Sequence, residues 1–385
     1  MTNEARVKPQ LRFKQFDEAW LKLNLNEVSD RVKRKNKGLE SLMPLTISGQ
    51  YGLVDQITYF SKSVSAKNLE NYTLIKNGEF AYNKSYSNGY PLGAIKRLDK
   101  YEKGALSTLY ICFKVKENHN SNFLKYFFET TKWHKEVSSI AVEGARNHGL
   151  LNISVNDFFN IMISLPPIKE QQKIGDFFSK LDRQIELEEQ KLEKLEQQKK
   201  GYMQKIFSQQ LRFKDEKGND YSDWEIQGLD QIAEINTGKS KISHEIDGEF
   251  FNLGSTGIVG KSNHFEYEGS FLLTARVGHY AGSLYTFKGK ANISDNTIFI
   301  QTNLYLEFIE ELLNNYNLKR LAFGSGQPLI KSSELKKLKF NIPCIDEIEK
   351  IGKLFNKLNQ SIELHTSKIE LLNQRKQGLL QKMFV

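Results

Sequence analysis

Apolar side chains recur at alternating steps of four and three residues along two stretches of the chain, about residues 170–207 and 347–384. An apolar seam with a 3.5-residue period predicts long helices that pack against other helices. Each seam has polar interruptions at two matching steps. The interruptions are Glu188, Lys199, His365 and Lys376. A helix packed on its own domain would explain either seam alone, but the matching interruptions favour packing of the two helices on each other. The residues predicted to form this interface are Phe178, Leu181, Ile185, Leu192, Leu195, Phe355, Leu358, Ile362, Ile369 and Leu372.

The two stretches are copies of one another at a constant offset of 177 residues. Identical pairs include Gly175/Gly352, Phe178/Phe355, Leu187/Leu364, Lys199/Lys376 and Gly201/Gly378. The repeat continues outside the helices, because Leu11-Arg12-Phe13-Lys14 recurs as Leu211-Arg212-Phe213-Lys214 and Trp20 recurs as Trp224. Such a repeat indicates two copies of a whole structural unit.

Residues 30–143 and 235–323, which lie between the repeated parts, share little sequence. Short apolar runs bounded by turn residues predict strands in both. The predicted strands span 42–47, 73–75, 79–82, 93–97, 109–113, 232–235, 271–275, 283–287 and 297–301. Helical stretches follow each set, at 122–131, 133–139 and 305–316.

The predicted fold class is α/β (α+β). Two similar globular domains would be separated by two long helices that form an antiparallel coiled coil, with pseudo-two-fold symmetry. The predicted boundaries are 1–166 for the first domain, 167–208 for the first helix, 209–342 for the second domain and 343–385 for the second helix.

Charge and hydropathy indicate the class of partner. Lys and Arg exceed Asp and Glu by 55 − 46 = 9, and the isoelectric point is near 9.1, which suits a polyanionic partner. The chain has no run of 18 apolar residues and no apolar signal region after Met1, so we expect a cytoplasmic protein with no membrane contact. Cys112 and Cys344 are expected to be small buried apolar residues rather than metal ligands or a disulfide.

The sequence lacks several recognised catalytic motifs. Leu165-Pro166-Pro167-Ile168 lacks the amide or carboxylate and the aromatic residue of an adenine methyltransferase signature. Gly238-Lys239-Ser240 and Gly260-Lys261-Ser262 lack the earlier glycine of a phosphate loop. No HExxH motif or cysteine cluster exists. We therefore expect no catalytic and no metal-binding residue.

The duplicated proline-led helix, its Gly-(Tyr/Leu)-(Met/Leu)-Gln-Lys-(Ile/Met)-Phe ending and the repeated Leu-Arg-Phe-Lys entry resemble the specificity subunit of type I restriction–modification systems. The resemblance implies two target-recognition domains, each reading half of a bipartite double-stranded DNA sequence. It implies that the paired helices set the spacer and dock two methyltransferase subunits. Adenine methylation and restriction of unmodified foreign DNA would be directed by this chain.

The resemblance further implies no cofactor in this chain. Its partners would use S-adenosylmethionine, and ATP with Mg for restriction. Whether restriction or translocase subunits join the assembly is left open by the sequence. Two alternatives remain: a fragment of a self-contained restriction–methylation enzyme, and a coiled-coil adaptor that binds only protein.

Candidate DNA contacts are basic or hydrogen-bonding residues in predicted loops. Arginine suits guanine, and Asn or Gln suits adenine, in the major groove, while cations neutralise phosphates. An ordinary exposed loop is the competing interpretation of each group. The candidates are Arg31, Lys33, Arg34, Lys35, Lys84, Ser85, Tyr86, Asn88, Arg146, Asn147, His148, Lys239, Arg276, His279, Tyr280 and Gln327.

An antiparallel pairing of the two seams would bring Glu188 towards His365, near the centre of each helix. A polar pair there would fix the register, as single polar seam residues do in coiled coils. The alternative is that both side chains point to water.

Overall fold

The computed structural model describes residues 8–61, 68–141, 151–242, 245, 247–323 and 328–385. The chain folds as two compact units. Unit 1 comprises Met1–Leu187 and Ile369–Val385, and unit 2 comprises Glu188–Lys368. Part of each long helix therefore belongs to each unit.

Unit 1 mixes short strands and helices with the beginning of the first long helix. Its strands are β1 (Leu21–Asn24), β2 (Ser29–Arg31), β3 (Leu45–Ser48), β4 (Gly52–Asp55), β5 (Thr73–Lys76), β6 (Phe80–Asn83), β7 (Ala94–Arg97), β8 (Lys103–Leu106), β9 (Ile111–Val115) and β10 (Met162–Leu165). Its helices are α1 (Leu25–Val28), α2 (Gln56–Phe60), α3 (Ser121–Phe127), α4 (His134–Ile140) and α5 (Val155–Phe159), followed by the long helix α6 (Ile168–Phe207), which continues into unit 2.

Unit 2 contains the rest of α6 and most of the second long helix. Its strands are β11 (Glu225–Gly228), β12 (Glu234–Thr237), β13 (Phe250–Gly254), β14 (Gly257–Ser262), β15 (Tyr267–Ala275), β16 (Leu284–Ile293), β17 (Thr297–Gln301) and β18 (Lys339–Ile342). Its helices are α7 (Leu229–Ile232), α8 (Leu306–Tyr316), α9 (Ser332–Lys336) and α10 (Ile345–Met383), the last of which ends in unit 1.

The two units repeat one strand order. The four-stranded sheet of unit 1 runs β2-β9-β6-β7, and the six-stranded sheet of unit 2 runs β12-β17-β15-β16-β13-β14. The first four strands of each sheet therefore correspond. Outside the sheets, β1 pairs with β10 in unit 1 and β11 pairs with β18 in unit 2, so the entry strand of each unit lies beside the strand that precedes its long helix. This repeat confirms the predicted pair of similar mixed α/β domains.

Local hydrogen bonds explain why several short helices begin where they do. The Asp55 carboxylate accepts from the backbone of Ile57 and Thr58 at the start of α2. The side chain of Asn120 caps α3 by accepting from Phe123 N at 2.8 Å. Side-chain acceptors at helix starts satisfy amides that have no partner inside the helix.

Each hydrophobic core combines one unit's strands with parts of both long helices. In unit 1 the sheet residues pack with Ile174, Phe178, Leu181 and Ile185 of α6 and with Leu372, Leu380, Met383 and Phe384. In unit 2 the corresponding residues are Ile206 of α6 and Ile348, Ile351, Phe355 and Leu358 of α10. Within unit 1 the helix parts run antiparallel, because Phe178 contacts Phe384 while Asp182 contacts Lys376.

A repeated arginine–glutamate pair fixes the entry segment of each unit to its long helix. The guanidinium of Arg12 donates to both oxygens of Glu170, at 2.8 and 2.6 Å. Arg212 makes the same contacts with Glu347, at 3.2 and 2.7 Å. Both carboxylates are fully buried, so the bidentate arginine is the charge that compensates their burial.

Candidate nucleic-acid interface

The register of the sheet in unit 1 brings two predicted DNA-contacting segments to the same edge. Both β2 and β6 pair antiparallel with β9, so the two strands end on the same side. Arg31 pairs with Phe113, and Tyr82 pairs with Ile111. The chain that follows β2 carries Lys33, Arg34 and Lys35, and the chain that follows β6 carries Lys84 to Asn88. We call this side the loop edge of unit 1.

The segment after β6 is held as a compact turn. Asn83 Oδ1 accepts from Ser85 N at 3.0 Å, and Ser87 and Tyr90 exchange backbone hydrogen bonds. Tyr86, whose side chain is 61% exposed, and Asn88 project at this turn without burial. The turn therefore presents polar and aromatic groups on a fixed backbone.

Lys84 links this turn to the end of the predicted glycine loop. Its carbonyl accepts from Leu151 N at 3.0 Å, and its Nζ donates to Ile153 O at 3.1 Å. The candidates Arg146, Asn147 and His148 of that loop lie outside the described residues.

Two members of the basic cluster have structural partners. The Arg34 guanidinium donates to both oxygens of Glu79, at 3.2 and 3.0 Å, and this hydrogen bonding raises the pKa of Arg34. Lys35 Nζ donates to the carbonyl of Asn71 at 2.8 Å. Arg31 and Lys33 are exposed. Arg31 and Lys33 therefore suit phosphate contact better than Arg34 and Lys35, which are also exposed but whose donors bond Glu79 and Asn71.

The corresponding edge of unit 2 has the same construction. Both β12 and β15 pair antiparallel with β17 and end on the same side, so Lys239 and Arg276 follow neighbouring strand ends. Lys239 is exposed, and its backbone N donates to the hydroxyl of Tyr267. His279 and Tyr280 are exposed, and their rings meet edge to face at 5.3 Å. We call this side the loop edge of unit 2.

Arg276 occupies the position that Lys84 has in unit 1. The Arg276 carbonyl accepts from Ile330 N at 2.8 Å, just beyond the second glycine loop. Gly278 N donates to Pro328 O at 2.9 Å in the same place. The candidate Gln327 lies outside the described residues. In each unit, the residue that follows β6 or β15 is thus hydrogen-bonded to a residue that follows the glycine loop in sequence.

The loop edges also contain residues that the sequence analysis did not single out. In unit 2 the turn before β17 contributes Asn296, whose carbonyl accepts from Arg276 N at 2.9 Å, and Asp295, whose carbonyl accepts from the Arg276 guanidinium at 3.4 Å. The hairpin turns between β3 and β4 and between β13 and β14 were not singled out either. Two glycines three positions apart mark both turns in the sequence, at Gly49/Gly52 and Gly254/Gly257.

The predicted helix–helix residues are all withdrawn from solvent to some degree. Phe178, Leu181, Ile185, Phe355, Leu358 and Leu372 are buried, while Leu192, Leu195, Ile362 and Ile369 are half-buried. The polar interruption at Glu188 is also buried, with 4% of its surface exposed.

Among the described residues, no group of three or more His, Cys, Asp or Glu side chains is placed to hold a metal ion. Burial raises the pKa of the Cys112 thiol to about 12, and Cys344 is a half-buried free cysteine. Within the described ranges, no helix is long and apolar enough to cross a membrane.

Comparison with known proteins gives one consistent result. A family model for the type I restriction modification DNA specificity domain matches residues 49–197 and again 221–374. The type I restriction enzyme MjaVIII specificity subunit of Methanocaldococcus jannaschii is 24% identical over 315 residues, which are 72% of this chain and 73% of that protein.

Solved structures agree in fold. The S subunit of a type I restriction–modification system from M. genitalium superposes with a TM-score of 0.68 at 17% identity, covering 98% of this chain and 99% of that one. A chain from a structure of type I R-M complex assembly and conformational transition has a TM-score of 0.50 at 15% identity, covering 96% and 98%.

Proposed function

Because the chain belongs to the type I restriction modification DNA specificity family, we propose that it is the DNA-recognition subunit of a type I restriction–modification complex. Each unit reads one half of a bipartite double-stranded target. The observation that carries this proposal is the matched pair of loop edges, in which Lys84 follows β6 and bonds Leu151, while Arg276 follows the equivalent strand β15 and bonds Ile330.

The side chains at these edges suit DNA. Arg31, Lys33 and Lys239 are exposed cations, as phosphate contacts need. Exposed Asn88, His279 and Tyr280 supply hydrogen-bonding groups for base edges. A net charge of +9 favours approach to a polyanion.

In this proposal the chain is a cytoplasmic, non-catalytic subunit with no cofactor of its own. Two modification subunits supply S-adenosylmethionine-dependent adenine methylation, and restriction subunits, where they join, supply ATP- and Mg-dependent cleavage. The length of α6 and α10, about 60 Å at 1.5 Å per residue, sets the spacer between the half-sites.

Matched positions on the long helices supply docking points for the two modification subunits. Leu187 in unit 1 and Leu364 in unit 2 are equivalent leucines with 41% and 66% exposure. Gly378 in unit 1 and Gly201 in unit 2 are equivalent glycines, and a Cβ added at either would meet no atom within 4 Å. Exposed apolar side chains kept in both copies are what a partner subunit would cover.

The DNA-reading proposal is tested by methylation of a randomised DNA library with purified modification subunits. The wild-type chain should direct methyl groups to one bipartite sequence. Arg276→Ala should lower methylation of that sequence about tenfold or relax one position of it. Lys288→Ala, an exposed lysine of β16 away from the loop edge, is the control and should change neither.

Other outcomes would support the competing interpretations. Methylation by the chain without added subunits would favour a self-contained enzyme. Tight binding of modification subunits with no sequence preference in the methylated DNA would favour a protein adaptor. Docking is tested separately: Leu364→Glu should reduce co-purification with modification subunits, whereas Ile226→Glu, at an equally exposed site in unit 2, should not.

A further inference from the structure

We propose that a glycine-framed hairpin turn in each unit determines DNA specificity, through Gln50 and Tyr51 in unit 1 and through Ser255 and Thr256 in unit 2. This inference rests on the proposed DNA-reading function and names side chains that neither the repeat nor the basic clusters indicate.

The two hairpins share a pair of glycines three positions apart, at Gly49/Gly52 and Gly254/Gly257. In unit 1 Ser48 pairs with Gly52 across a three-residue loop, and in unit 2 Gly254 pairs with Gly257 across a two-residue loop. The second glycine of each turn has positive φ, 76° at Gly52 and 117° at Gly257, a conformation that side chains rarely adopt. The glycines therefore fix the turn, and the two residues between them are left to vary.

In unit 2 the turn lies at the loop edge. Strand β13 runs parallel to β16, with Leu253 beside Ile293, and residues 294–296 lead from the end of β16 to the start of β17 at the loop edge. The Ser255 hydroxyl donates to Asn296 O at 3.0 Å. The same carbonyl accepts from Arg276 N, so one oxygen joins the hairpin turn to the proposed arginine contact.

In unit 1 the turn is held against the segment that follows β6. A Cβ added at Gly49 would overlap the ring of Tyr90, which closes the turn carrying Tyr86 and Asn88. The hairpin is also bound to the turn before β9, because Thr46 Oγ1 and the Tyr110 hydroxyl lie 3.3 Å apart. Each hairpin thus contacts the turn before the second strand of its unit's main sheet, through strand β3 in unit 1 and through the turn residue Ser255 in unit 2.

The chemistry of the variable residues fits base recognition. Gln50 is exposed and Tyr51 is 53% exposed, while Thr256 is exposed and Ser255 half-buried. Glutamine pairs with adenine through two hydrogen bonds, and serine and threonine accept or donate to several bases. The same glycine spacing with different polar residues in the two units is what two readers of different half-sites require.

The test exchanges the variable residues. Gln50→Ser with Tyr51→Thr gives unit 1 the turn residues of unit 2, and the variant is assayed with modification subunits on a randomised library. We expect about a tenfold change of base preference at one or two positions of one half-site. The other half-site should keep its sequence, and the thermal midpoint should stay within about 3 °C of the wild type, as expected for an exposed substitution.

The matched control is Gln15→Ser with Tyr59→Thr, which removes the same groups at exposed sites outside the turn. Unchanged preference at both half-sites in the folded turn variant, or an equal change in the control, overturns this inference. If the wild-type chain itself directs no bipartite methylation, the proposed function fails instead. The reciprocal exchange, Ser255→Gln with Thr256→Tyr, must alter only the half-site that the first exchange leaves unchanged.

Discussion

The Nδ1 atom of His365 lies 2.7 Å from Oε2 of Glu188, so the first polar interruption of one long helix meets its counterpart on the other. The second carboxylate oxygen accepts from Lys368 at 2.9 Å and from Lys191 at 3.2 Å. The predicted pairing is confirmed, and the alternative in which both side chains point to water is wrong. One buried carboxylate therefore collects three donors within unit 2.

The Glu188 cluster predicts a specific dependence on pH. The hydrogen bond from Lys368, followed by those from His365 and Lys191, lowers the pKa of Glu188 from 4.5 to about 2. A lowered carboxyl pKa stabilises the fold above the unfolded value, and this contribution is lost as pH falls through the folded value. Glu188→Gln should therefore lower the free energy of unfolding most near neutral pH, with the loss shrinking from about pH 4.5 towards pH 2.

Urea unfolding at a series of pH values measures this difference. Glu189→Gln, at the exposed neighbouring position, is the control and should show little change across the range. A deficit for Glu188→Gln that stays constant down to pH 2.5 would contradict the assigned coupling.

Two helix glycines of unit 1 should respond in opposite directions to alanine. A Cβ at Gly175 would lie 2.7 Å from Asn120 Oδ1 and 2.8 Å from Asn122 Cβ, because the start of α3 packs closely on α6. We expect Gly175→Ala to lower the free energy of unfolding by about 1–3 kcal/mol. Gly378 has open space, so Gly378→Ala should raise it by up to about 1 kcal/mol through helix propensity. Chemical denaturation checks both, and equal signs would refute the packing argument.

The repeated arginine–glutamate pairs should differ in strength. Glu347 accepts from Trp224 Nε1 at 3.0 Å and from Phe213 N as well as from Arg212. In unit 1 the equivalent Trp20 Nε1 has no partner among the described residues. Glu347→Gln should therefore lower the free energy of unfolding by about 2–4 kcal/mol, because it weakens several hydrogen bonds to a buried charge. The loss for Glu170→Gln should be smaller.

Thermal unfolding of the two variants, followed by tryptophan fluorescence, compares these losses. Glu349→Gln removes an exposed ion pair with Lys353 and should change stability much less than either substitution. A larger loss for Glu170→Gln than for Glu347→Gln would reverse the expected order.

Phe384 should stabilise unit 1 although it lies almost at the end of the chain. Its ring is 1% exposed and lies 5.1 Å from the ring of Phe123 and 5.8 Å from that of Phe178. Phe384→Ala should cost about 3–5 kcal/mol and increase hydrogen exchange in α3. The exposed Phe323→Ala is the control. Exchange that rises only in unit 2 would exclude this packing role.

The long helices and the repeat were predictable because their signals are local and periodic. The predicted limits of each long helix lie within two residues of the observed ones. The strands at 73–76, 80–83 and 297–301 were found because each coincides with a short apolar run. Strands β13 and β14 were missed, since three glycines interrupt their alternation at Gly254, Gly257 and Gly260. β16 extends to Ile293, beyond the predicted 287, because exposed Lys288 and Lys290 obscure its pattern.

The proposed site was only partly predictable. Arg31 and Arg34 look alike in sequence, yet Arg34 binds the buried carboxylate of Glu79, which lies 45 positions later. No local pattern indicates such a partner. The link from Arg276 through Asn296 to Ser255 likewise joins three separate turns, and only the sheet register brings them together.

The inclusion of residues 369–385 in the core of unit 1 has a consequence for synthesis. Unit 2 is Glu188–Lys368, so all of its residues are synthesised before residues 369–385. Unit 1 begins earlier but lacks Leu372, Leu380, Met383 and Phe384 until the residues that follow unit 2 have been synthesised. The first half to be made is therefore the last to complete its core, and its apolar helix face stays uncovered while unit 2 folds.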